Sequence, residues 1–116
     1  MGSRVSARLQ WAVEALEIGP GERVLEIGSG HGVAVSLVCD VLTTGKIFAV
    51  DRSATMTAMA WKRNTGCVEA GKAEIVTGLF PGFEFSDQQF DTVFAIHVGA
   101  FWQKPGTALA AVSGLL

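Results

Sequence analysis

Glu26-Ile27-Gly28-Ser29-Gly30-His31-Gly32 sets one carboxylate beside three glycines at the end of an apolar run. Glycine accepts positive φ and lets backbone come close to a ligand, while unpaired N–H groups at the start of the next helix can face an anionic group. Glu26 would cost several kcal/mol to bury as an ion unless donors or a cation satisfied it, and an ammonium-bearing ligand or the loop's own amides would do that. Asp51 closes a second apolar run, roughly the 20 residues further on at which an acidic group accepts ribose hydroxyls. The pair suits a nucleoside joined to an amino acid. A dinucleotide fingerprint would need glycine where Val33 stands, so the NAD reading loses its defining feature.

Other side chains offer chemistry with a plainer alternative beside it. His97 ends an apolar run on the expected ligand side, where a neutral imidazole can act as general base toward an acceptor or simply hydrogen-bond a strand end. His31 is expected to be exposed in the loop. Phe80, Phe83, Phe85, Phe101 and Trp102 either wall an acceptor pocket or pack the core. Asp91 is read as ordering a strand entry. Cys39 and Cys67 lack metal-knuckle spacing and are read as reduced, packed thiols in a cytoplasmic chain; no metal site is expected.

These residues need strand ends to position them. Apolar residues at steps of three and four predict a helix over Ser6 to Glu17, stopped by Gly19-Pro20-Gly21. Arg23 to Ile27 reads as a strand that runs into the glycine turn, and Val33 to Leu42 as the following helix. The unit repeats with Lys46 to Val50 as strand, Asp51-Arg52-Ser53 as turn and Ala54 to Asn64 as helix, Ser53 serving as its cap. Ala73 to Val76 and Phe90 to His97 predict two more strands, and a last helical stretch begins at Thr107. Strands alternating with helices imply parallel pairing through right-handed crossovers: an α/β, Rossmann-like open sheet with helices on both faces.

With 116 residues, 49% of them hydrophobic, the chain suits one domain spanning 1–116 with enough apolar side chain for such a sheet. A net charge of -2 and scattered basic residues disfavour nucleic acid as a partner. The most apolar stretch, Val93 to Trp102, is broken by His97 and falls short of a membrane span, and no secretory leader is expected. Met1-Gly2 with Ser6 fits the loose N-myristoylation pattern, which recurs by chance.

Val24-Leu25-Glu26-Ile27-Gly28-Ser29-Gly30-His31-Gly32 resembles the E/D-x-G-x-G-x-G signature of class I S-adenosylmethionine-dependent methyltransferases. Val50-Asp51-Arg52-Ser53 with Met56 and Ala60 resembles their second segment, and Phe90 to Ala95 their fourth strand in the ubiquinone/menaquinone-biosynthesis subgroup. The resemblance implies S-adenosylmethionine as cofactor, S-adenosylhomocysteine as product and a small-molecule methyl acceptor. It further implies that Gly28, Ser29, Gly30 and Gly32 line the methionine and ribose portion, that Glu26 orders the loop or meets the ammonium, and that Asp51 takes the ribose hydroxyls. Arg52 stands where the family often places an apolar residue against adenine, and its guanidinium can stack on the base instead. Leu79, just after Gly78, replaces an Asp that often accepts from the adenine amino group.

Family members continue into three further strands, which would leave strand four an open edge here. Such an edge is expected to be covered by a second copy, or the chain to be part of a longer enzyme. The competing functional reading is a binding or assembly module that keeps the nucleoside site without acceptor chemistry.

Overall fold

Strands alternate with helices along the computed structural model, which describes residues 7–78 and 90–95. Helix α1 (Ala7–Ala15) leads to strand β1 (Arg23–Ile27), helix α2 (Val33–Val41), strand β2 (Lys46–Asp51) and helix α3 (Ala54–Arg63). A short helix α4 (Thr65–Glu69), strand β3 (Ala73–Thr77) and strand β4 (Thr92–Ala95) follow. All pairings are parallel in the order β3-β2-β1-β4. Strand order reverses at β1, so the carboxyl end of β1 is the switch point where an open α/β sheet gathers its ligand.

The period-two alternation of strand side chains sorts the core into two layers. Val24, Ile47, Ala49, Ala73 and Phe94 pack with Val13 of α1 and Val35, Val38 and Cys39 of α2 on one face. Leu25, Ile27, Phe48 and Val50 cluster with Phe90 on the other. Among the described residues, helix side chains join only the first layer. Glu26 pairs in register with Ala49, and Asp51 follows Ala49 by two, so both carboxylates lie on that helix-covered side.

Several element bounds differ from expectation, α2 stopping at Val41, β2 reaching Asp51 and β3 reaching Thr77. The first helix ends at Ala15, because Leu16 and Glu17 tighten onto the Val13 and Glu14 carbonyls and Glu17 then takes φ 52. Asn64 stops α3 rather than ending it from within, and α4 was not expected at all; its single turn is too short to show periodicity. Phe90 sits outside β4 and packs edge-on against Phe48 at 5.4 Å. Asp91 does order the strand entry, accepting from Arg23 N at 2.8 Å. His97, Leu79, Phe80, Phe83, Phe85, Phe101, Trp102 and the stretch from Thr107 lie outside the described residues.

The expectation of two reduced thiols is corrected. Cys39 and Cys67 form a disulfide, because α4 turns Cys67 toward α2 with the two Cα atoms 6.5 Å apart. The thiol argument for a cytoplasmic location falls with it. Lys72, just before β3, donates to the carbonyls of Cys39 (3.3 Å) and Leu42 (3.0 Å) and so satisfies the carboxyl end of α2.

Candidate functional site at the carboxyl edge of the sheet

β1 must leave the sheet and reverse into α2 within a few residues, and glycine makes that possible. Gly28, Gly30 and Gly32 all take positive φ, at 82, 56 and 91 degrees. At Gly32 substitution meets a second obstacle, since a Cβ would lie 2.8 Å from Ala60 and from Asn64 Nδ2. At Gly30 a Cβ would meet nothing within 4 Å, so that part of the loop faces open space.

The loop is tied to β2. The N–H groups of Gly28 and Ser29 both donate to Val50 O, at 2.7 and 3.1 Å, and Gly32 N donates to Ser29 O at 3.1 Å. Gly30 N donates to Asp51 Oδ2 at 2.9 Å. The glycine amides are thus spent within the scaffold, which corrects the idea that they satisfy Glu26. Unpaired donors lie instead on the first turn of α2, the N–H groups that no helix can bond internally.

Glu26 stays unsatisfied on this side. It is 2% exposed, and its Oε1 is buried without a hydrogen-bond partner among the described residues. Burial, and secondarily the negative charge of Asp51, push its carboxyl up from the ordinary 4.5 to about 8. Near neutral pH the group therefore holds a proton. A buried acceptor of this kind, beside an open loop, fits an ammonium.

Asp51 is the structural centre of the edge. Oδ2 takes Gly30 N and Oδ1 takes Ser53 N, each at 2.9 Å, while its carbonyl accepts from Gly78 N at 2.9 Å. A carboxylate offers about four lone-pair sites, so capacity remains for two hydroxyls. Ser29 is buried at the loop base, Arg52 and His31 are exposed, and Gly78 is half-buried at the end of β3. The edge thus gathers Glu26, Gly28, Ser29, Gly30, Gly32, Asp51 and Gly78, with Arg52 at its rim.

Sequence reasoning missed Ser36, Arg63 and Asn64, which hold the back of the loop. Arg63 Nε donates to His31 O at 3.1 Å and Asn64 Nδ2 to Gly32 O at 3.1 Å. Ser36 Oγ donates to Asn64 Oδ1 at 2.7 Å. A serine among the apolar residues of the first turns of α2, four residues after Gly32, was the available signal.

A family model described as a methyltransferase domain matches residues 25–116, which includes the last three residues of β1, the loop, α2 and β2 to β4. The chain belongs to this methyltransferase domain family. YrhH of Bacillus subtilis (strain 168) is 26% identical over 85 residues, covering 73% of this chain and 46% of the relative. The protein-L-isoaspartate O-methyltransferase of Methylorubrum populi (strain ATCC BAA-705 / NCIMB 13946 / BJ001) is 41% identical over 51 residues, covering 44% of this chain and 23% of the relative. The methyltransferase domain described here spans less than half the length of these relatives.

Among solved structures, an S-adenosylmethionine-dependent methyltransferase from Thiobacillus denitrificans in complex with S-adenosyl-L-homocysteine superposes with TM-score 0.77 at 20% identity, over 100% of this chain and 46% of that one. Coclaurine N-methyltransferase bound to N-methylheliamine and S-adenosylhomocysteine gives TM-score 0.81 at 18% identity, over 95% of this chain and 32% of that one. Both share the fold with the methyltransferase domain. No helix among its described residues is long and apolar enough to cross a membrane.

Proposed function

We propose that this domain binds S-adenosylmethionine at the carboxyl edge of β1 and β2 and serves methyl transfer to a small-molecule acceptor. The observation that carries the reading is the buried Glu26, whose Oε1 has no hydrogen-bond partner among the described residues, beside an Asp51 with lone pairs to spare. One group suits an amino-acid ammonium and the other a ribose. Fold relatives crystallised with S-adenosylhomocysteine support the same choice.

The chain's own residues divide the work. Glu26 gives up its proton and receives the ammonium, and the first turn of α2 meets the carboxylate of the amino-acid end with its free N–H groups. Asp51 fixes the sugar, while Gly30 leaves room for backbone approach. Arg52 covers the base by stacking and Gly78 borders it, with Leu79 the candidate for an apolar contact. When bound, the cofactor supplies an electrophilic methyl on a sulfonium, and catalysis consists chiefly of holding an acceptor in line with it. His97 is the candidate general base toward that acceptor. Among the described residues the outer edge of β4 carries no further strand, and a second copy of the chain is the partner proposed for it.

Calorimetry with S-adenosylhomocysteine, with NADH as competitor, tests the reading. Saturable binding that NADH does not displace supports it, and NADH displacement would move the site to the dinucleotide class. A methyl-release assay against mixed acceptors then separates an enzyme from a binding module.

A further inference from the structure

The amino-acid end of the proposed ligand meets a loop held from behind, and the Gly32 carbonyl in it is held by Asn64. Asn64 ends α3, caps α4 and is only 6% exposed. Its Nδ2 donates to Gly32 O at 3.1 Å and to Ala60 O at 2.9 Å, and its Oδ1 accepts from Ser36 Oγ at 2.7 Å. Gly32 O also lies 3.1 Å from Ser36 N and 3.2 Å from Ser36 Oγ. A carbonyl has two lone pairs and a hydroxyl one proton, so the shorter Ser36–Asn64 bond takes that proton and Gly32 O is left to Ser36 N and Asn64 Nδ2.

The peptide unit is planar, so a carbonyl fixed toward α3 aims the next residue's N–H the opposite way. Asn64 fixes the plane between Gly32 and Val33; Arg63, bonded to His31 O, fixes the one before. The direction of the Val33 N–H, first of the free donors on α2, is thereby set from behind. Gly32 is what lets Asn64 come so near, since any Cβ there would overlap its amide. Three residues further along both elements the Cys39–Cys67 disulfide braces the same junction.

We infer that Asn64 is a positioning residue for the cofactor loop, setting the peptide plane at Gly32 and so the donors offered to the ligand's amino-acid end. This rests on the cofactor reading above. A residue of merely structural value would lower stability without turning the loop amides.

The experiment compares Asn64→Ala with Lys72→Met in the full chain, the second losing two half-buried hydrogen bonds at the far end of α2. Amide ¹H–¹⁵N spectra without ligand should show the Gly32 and Val33 resonances displaced by Asn64→Ala and little moved by Lys72→Met. Affinity for S-adenosylhomocysteine, measured well below each melting temperature, should fall roughly tenfold in the first and less than about twofold in the second, as expected for loss of one buried hydrogen bond. Should Asn64→Ala not fold, Ser36→Ala removes the anchor of Asn64 and should move the same amides by less. Unmoved loop amides, or equal affinity losses in the two variants, would overturn the assignment. If the unaltered chain failed to bind S-adenosylhomocysteine, the cofactor reading would fall while the ligand-free spectra still decided whether Asn64 holds the loop.

Discussion

At the amino ends of β1 and β4, charged groups meet partners. Asp91 takes Arg23 N at 2.8 Å, Thr92 Oγ1 donates to Glu22 Oε1 at 2.8 Å, and the Arg23 guanidinium stands 5.1 Å from the Phe48 ring. At the carboxyl ends of β1 and β2 the same kinds of residue are arranged at a cost. Glu26 is buried without a partner for Oε1 among the described residues, its proton is held by desolvation and by Asp51, and three glycines within five residues take positive φ. One end of the sheet closes the fold, and the other keeps polar capacity that the fold itself does not use. Unmet capacity at a switch point, rather than charge as such, marks the functional end.

The largest expected effect that would break this contrast is Gly32→Ala. The left-handed φ and the overlap with Ala60 and Asn64 together cost about 2–5 kcal/mol, so the melting temperature should drop steeply and cofactor binding disappear with it. An unchanged melting curve would show the loop to be less constrained than its geometry states. Removing the disulfide with the double change Cys39→Ala and Cys67→Ala releases a crosslink between residues 28 apart, and should cost about 3 kcal/mol in chemical denaturation. Equal stability of oxidised and reduced chain would contradict this.

Asp51→Ala sharpens the comparison at the functional end. It strips Gly30 N and Ser53 N of their acceptor, and with the sugar contact should weaken S-adenosylhomocysteine binding by about 10- to 100-fold in calorimetry. Thr92→Val is its counterpart at the closed end. Loss of the hydrogen bond to Glu22 should cost about 1 kcal/mol of stability and leave cofactor affinity unaltered. If Thr92→Val weakened the ligand as much as Asp51→Ala, the two ends would not be functionally separate.

Much of this was legible in the residues. The apolar runs before Gly28 and Asp51 named the two strands and their order, because a buried parallel strand reads as a continuous hydrophobic run. Glu26 and Asp51 were visible as the acidic pair, since carboxylates at the ends of such runs stand out. What stayed hidden depends on distant parts of the chain meeting. Asn64 looked like the last residue of a helix, and only the packing of α3 behind Gly32 makes it a partner of the loop. Cys67 looked like a residue beyond a helix, and only the single turn of α4 brings it to Cys39. Local pattern carries strand and helix; tertiary closure carries the partners of buried polar groups.

Glu26 links stability and binding through one proton. Because the folded chain holds that proton more tightly than the unfolded chain, its contribution is fully present below the ordinary value of 4.5 and is lost as pH rises toward about 8. Glu26→Gln should flatten that slope. The most direct measurement is calorimetry of S-adenosylhomocysteine binding near pH 7 in buffers of different ionisation enthalpy, for the unaltered chain and for Glu26→Gln. Release of close to one proton per ligand by the unaltered chain and none by the variant is the expected result, since an ammonium at Glu26 drives the carboxyl to ionise. Binding without proton release, or the same release from both chains, would contradict a Glu26 that receives the ligand.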